Sequence, residues 1–140
     1  MKLLVGICVL GLAVVLSGCS GSSADDLVGT WTTQLVGYNQ SASGATKYEQ
    51  KVTFSEDGRV LLETTLAGGS DGQQGSYEVG KDADGQFVRI AWDASPDTPL
   101  ELGFSIQGDK LSTTRREGSM PKPPNMNVTE QDPVVYVRKD

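Results

Sequence analysis

Histidine is absent from the 140 residues, and cysteine appears only twice, as Cys8 and Cys19. The first absence removes the commonest general base and the commonest zinc or copper ligand. Ser-His-Asp and Cys-His triads are excluded, and so are histidine-based metal sites. Basic residues are outnumbered, with 12 Lys+Arg against 18 Asp+Glu and a formal charge of -6. An acidic surface opposes nucleic acid and anionic headgroups, so no nucleic-acid partner is expected. Long hydrophobic runs are scarce too. The one uncharged apolar stretch, Leu3 to Leu16, follows Lys2. It is short of the roughly 20 residues that a membrane-spanning helix needs. A short apolar run behind a basic residue reads as a secretory signal.

That run ends in Leu16-Ser17-Gly18-Cys19. The four residues resemble the lipobox of bacterial lipoproteins: a leucine, two small residues, then cysteine. The resemblance implies a diacylglycerol on the Cys19 thiol and cleavage ahead of it, with 1–18 as signal peptide. Cys8 leaves with that peptide, so neither a disulfide nor a free thiol is expected in the mature chain. The membrane is then a partner through covalent lipid. Ser20, in place of an aspartate after the cysteine, implies export to the outer membrane where the host has one. Residues 19–26 read as the lipidated cysteine and a flexible tether, the small, polar, acidic stretch Ser20–Asp26.

From 27 to 140 the apolar residues recur with period two, the period of strands. Tyr48, Gln50, Val52 and Phe54 alternate with charged and hydroxyl residues. So do Val60, Leu62 and Leu66, then Tyr77 and Val79, then Val88, Ile90 and Trp92. Leu100, Leu102, Phe104 and Ile106 make the cleanest case, followed by Leu111, Thr113, Val135 and Val137. With the first strand around Trp31, about eight strands are expected. Asp57-Gly58, Asp84-Gly85 and Gly108-Asp109 supply hairpin turns. Gly68 to Gly75 reads as a looser, glycine-rich connection. The expected fold is all-β, an antiparallel up-and-down meander closing into a barrel, which removes exposed edges. Glu117 to Pro133, with Pro121, Pro123 and Pro124 inside it, breaks the rhythm as a long loop.

Gly29-Thr30-Trp31 resembles the first signature of lipocalins, a glycine, any residue, then tryptophan on strand one. The order of later elements is also similar to small bacterial lipocalin-like lipoproteins: Thr53 to Gly58, Gly75 to Val79, Gly108 to Leu111, then Tyr136-Val137-Arg138. The resemblance implies that Trp31 plugs one end of the barrel and that Arg138 packs over its ring. It covers nearly the whole mature chain.

Tyr48, Phe54, Tyr77, Trp92, Phe104 and Tyr136 are candidates to line a ligand cavity. The same residues equally well fill a small barrel. Two functions follow: a binding module for a small apolar molecule, or a protein-interaction, inhibitor or structural lipoprotein of the envelope with a filled core. Asp82-Ala83-Asp84-Gly85 begins like a calcium loop but lacks the later ligands, and reads as a turn. Glu56 with Asp57 and Asp93 with Asp97 are carboxylates on turns, with no signal of a desolvated acid. No enzyme activity and no cofactor are expected. Arg115-Arg116 reads as a solvated strand end. Cys19→Ser is expected to abolish incorporation of a palmitate analogue during growth; equal labelling of variant and parent would refute lipidation.

Overall fold

The computed structural model describes residues 23–38, 45–66, 69–116, 127–128 and 133–140. The signal segment, Cys19 and most of the proline-rich loop lie outside these residues. A single helical turn, α1 (Ala24–Leu27), leads into β1 (Gly29–Tyr38), β2 (Ala45–Phe54), β3 (Arg59–Leu66) and β4 (Gly69–Asp82). Then come β5 (Gly85–Trp92), β6 (Ser95–Gln107), β7 (Lys110–Arg115), the two-residue β8 (Asn127–Val128) and β9 (Val134–Lys139).

Each strand from β1 to β7 pairs antiparallel with the next. β7 then pairs with β9, and β9 returns to β1. The result is a closed eight-stranded antiparallel meander, as the alternation predicts. β8 adds a short pairing to the far end of β1.

Alternation decides which side chains fill the barrel. Val52, Phe54, Val60, Val88, Ile90, Trp92, Phe104 and Leu111 are buried in one cluster with Leu27 and Trp31. Their neighbours along each strand face water. The end marked by the β2–β3, β4–β5 and β6–β7 turns is the floor, and α1 closes it. Gly58, Gly85 and Gly108 on these turns have positive φ, as their Asp-Gly and Gly-Asp sequences predict.

Two expectations are corrected. Gly69 to Gly75 is strand, not loose connection. It pairs residue by residue with β3, from Leu66↔Gly69 to Val60↔Gly75. Backbone hydrogen bonding to a well-patterned neighbour is enough to hold it extended. The tether also ends earlier than Asp26. Ser23 caps α1 in a reciprocal box with Asp26, and Leu27 is wholly buried.

Gly75 shows how tightly the sheet is drawn. It is buried beside the irregularity in β5 between Ile90 and Trp92. A Cβ there would overlap the Ala91 carbonyl oxygen and lie 3.1 Å from Trp92 Cα. These are backbone atoms, which cannot swing aside. Gly75→Ala is expected to lower stability by about 1–3 kcal/mol in urea unfolding. Gly72→Ala is the control, because a Cβ there comes no closer than 3.9 Å to a neighbour. Equal behaviour of the two variants would refute the close-approach account.

Candidate functional site

The floor is built around Trp31, which is 0% exposed. Its indole Nε1 donates to the Leu27 carbonyl at 2.9 Å, so the ring's one polar atom is satisfied by the helical turn beneath it. β9 places Arg138 opposite Trp31 in register, and the guanidinium carbon lies 4.2 Å from the ring centre. The same guanidinium donates from Nη1 to the Val28 carbonyl at 3.0 Å and from Nη2 to the Asp26 carbonyl at 2.8 Å. Gly29, at φ 136, leaves room for it, since a Cβ there would stand 2.8 Å from Arg138 Nη1. Gly29, Trp31 and Arg138 are thus brought into one contact.

The six candidate lining aromatics divide along the barrel axis. Phe54 and Tyr77 meet edge to face at 5.0 Å near the floor. The Tyr77 hydroxyl donates to the Ser55 carbonyl at 2.8 Å. Phe104 and Trp92 are buried in the core, Trp92 at the upper end of β5. Tyr136, like Tyr77, is partly buried and packs against that core, whereas Tyr48 is outside the cluster. Tyr136 donates from its hydroxyl to Gln50 Oε1 at 2.6 Å. Burial, with a smaller contribution from Tyr48, pushes the Tyr136 phenol up to about 12. Burial raises the Tyr48 phenol as well. Both hydroxyls therefore stay protonated through the physiological range.

Gln50 joins the set through the inward alternation of β2, as do Thr33, its partner on β1, and Thr64, its partner on β3. The inward-facing upper half thus offers neutral hydroxyls and an amide. Apolar side chains lie beside them. Leu62, Leu100 and Leu102 pair with buried Val52, Ile90 and Val88, yet remain only partly buried themselves.

A concavity lies on the outer wall of the barrel. A cleft of about 780 Å³ is lined by Asp82, Glu101, Gly103, Thr114 and Arg116 among others. Arg116 is no solvated strand end. Its side chain is 15% exposed and pairs with Asp82 and Glu101. It also lies 4.6 Å over the Phe87 ring. The Asp82 carboxyl is held below its usual range, chiefly by hydrogen bonding to Arg116. Asp82 also accepts from the Asp84 amide at 3.0 Å, which makes the Asp82–Gly85 stretch a hairpin turn. Among the described residues no cluster of three or more carboxylates or cysteines is placed to hold a metal.

No protein-family model, curated protein or solved structure matches this chain.

Two predictions follow from the geometry. Trp31→Ala removes both burial and filled volume and is expected to cost roughly 3–5 kcal/mol. Arg138→Ala loses a cation–π contact and two charge-assisted hydrogen bonds, roughly 2–4 kcal/mol. Denaturation of the single and double variants should show coupling of about 0.5–3 kcal/mol, since contacting residues are not additive; strict additivity would contradict the contact. The second concerns pH. Tyr136 ionises at about 12 in the fold and near 10 when unfolded. Its neutral form is the one the fold prefers. That stability is complete below about pH 10 and is lost as pH rises towards 12. Ultraviolet titration should show a late-ionising phenol that disappears in Tyr136→Phe; an unchanged titration would refute the assignment.

Proposed function

We propose that this chain is a bacterial lipoprotein, anchored through Cys19, whose lipocalin-like barrel holds a small, largely apolar molecule in the cell envelope. The observation that carries the ligand reading is the partial exposure of Leu62, Leu100 and Leu102, which face the barrel axis. Apolar surface left in contact with water inside a barrel is unfavourable by roughly 25 cal/mol per Å². An apolar guest relieves that cost. Tyr48, Gln50 and Tyr136 supply a few neutral polar groups to orient it, the usual composition of a small-molecule site. The sealed floor gives the guest a stop.

The second reading, a filled barrel acting through a protein partner, is favoured by another observation. Val135 and Val137 on the outer face of β9 are 46% and 43% exposed, a small exposed apolar strip. Native mass spectrometry of the chain extracted from its own envelope separates the two. The binding reading expects a mass above that of the lipidated chain, released as a small molecule on activation. A bare chain, or one recovered only with a second protein, would overturn it.

A further inference from the structure

We infer that the barrel stands with its floor towards the bilayer that anchors it and its upper end directed away, so that its ligand arrives from the aqueous side. The inference rests on the lipoprotein reading of Cys19 and goes beyond it. Its basis is the attachment of α1. Arg138 donates to the carbonyls of Asp26 and Val28, Trp31 donates to that of Leu27, and Leu27 is buried in the core. The chain therefore leaves the barrel at its floor, held by three hydrogen bonds to the β1–β9 pair, and Ser23 caps the departing turn.

Chain length decides what that exit point permits. Cys19 precedes Ser23 by four residues, which span at most about 14 Å at about 3.5 Å per residue. β1 runs ten residues from the floor towards the other end. At about 3.3 Å per residue and a tilt of about 45°, it rises roughly 23 Å along the barrel axis. The tether is too short to carry the upper end down to the lipid surface. A barrel turned upside down would need the chain to climb its whole wall.

Charge sets how the floor meets the surface. Glu56, Asp57, Asp84 and Asp109 on or beside the floor turns, with Asp25 and Asp26 on α1, are exposed and outnumber the exposed Lys81, Lys110 and Lys139 at the same end. These carboxylates repel anionic headgroups over a screening length of about 8 Å at physiological ionic strength. The floor faces the bilayer across water and is not immersed in it. The partly exposed Leu62, Leu100 and Leu102 lie above the floor plug, on the side away from the acyl chains of the anchoring membrane.

Two single-cysteine variants of the full chain test this, Asp57→Cys on the β2–β3 turn and Ser70→Cys at the upper start of β4. Each is expressed with its own leader, purified from membranes, labelled with a bimane fluorophore and reconstituted in phosphatidylcholine vesicles carrying a headgroup nitroxide. The position-57 label is expected to be quenched several-fold more strongly than the position-70 label. Equal quenching, or stronger quenching at position 70, would overturn the orientation. A palmitate analogue supplied during growth reads lipidation on the same preparations. Lipid label with reversed quenching defeats the orientation alone, whereas absence of lipid label defeats the anchor and the orientation with it.

Discussion

The barrel closes where its last strand meets its first, and the ladder there is short: Thr30↔Lys139, Trp31↔Arg138 and Thr32↔Val137. Side chains reinforce it. Thr33 donates from Oγ1 to the Val135 carbonyl at 2.8 Å, and Thr32 from Oγ1 to the Val137 carbonyl at 3.5 Å. Arg138 adds the strongest tie, because one planar cation meets an aromatic face and two carbonyls at once. Its fork of donors suits that geometry in a way a lysine ammonium does not. Without the seam, β1 and β9 become free edges and the core opens along one side. Closure, plugging of the floor and docking of α1 are therefore one event.

The outer wall uses charge differently. Glu78, Arg89 and Glu101 form a row across β4, β5 and β6, and Arg116 continues it to Asp82. Exposed ion pairs of this kind contribute little each, about 0–1 kcal/mol. Their value lies in register. A slip of one residue in β5 would turn Arg89 inward, expel Val88 and Ile90 to water and carry Phe87 away from Arg116. The same slip would separate Phe87 from Gly80, whose bare backbone the ring covers so closely that a Cβ there would overlap it. Attraction on the outside and burial on the inside thus select one alignment.

The strands were legible because a half-buried strand needs alternation, and β2, β5 and β6 carry it without interruption. The hairpins at Gly58, Gly85 and Gly108 were legible because positive φ demands particular residues. The opening of β4 was not, because Gly69 to Gly75 is held by backbone pairing alone and its side chains carry no pattern. α1 left a faint signal, the Ser23 and Asp26 of its capping box ahead of Leu27, lost within an acidic stretch. Arg116 and Asp82 are 34 residues apart, and the register of three intervening strand pairs brings them together. The Tyr136–Gln50 bond, across 86 residues, depends on closure in the same way. Alternation put each of these side chains on a face but could not say which partner it would meet there.

For the proposed ligand, side-chain size along the axis matters more than the fold. An eight-stranded barrel is just wide enough inside for side chains to fill it or for one small molecule to replace some of them. Near the floor the inward positions are large: Trp31, Phe54, Tyr77 and Phe104. Farther from the floor they include Thr33 and Thr64 beside the buried Trp92. The two threonines take up less volume than rings would, beside the partly exposed Leu62, Leu100 and Leu102. Trp31 cannot retreat to enlarge that space, because its indole nitrogen is bound to Leu27 and its face is covered by Arg138. The group that closes the barrel thereby also limits how deep a guest can reach.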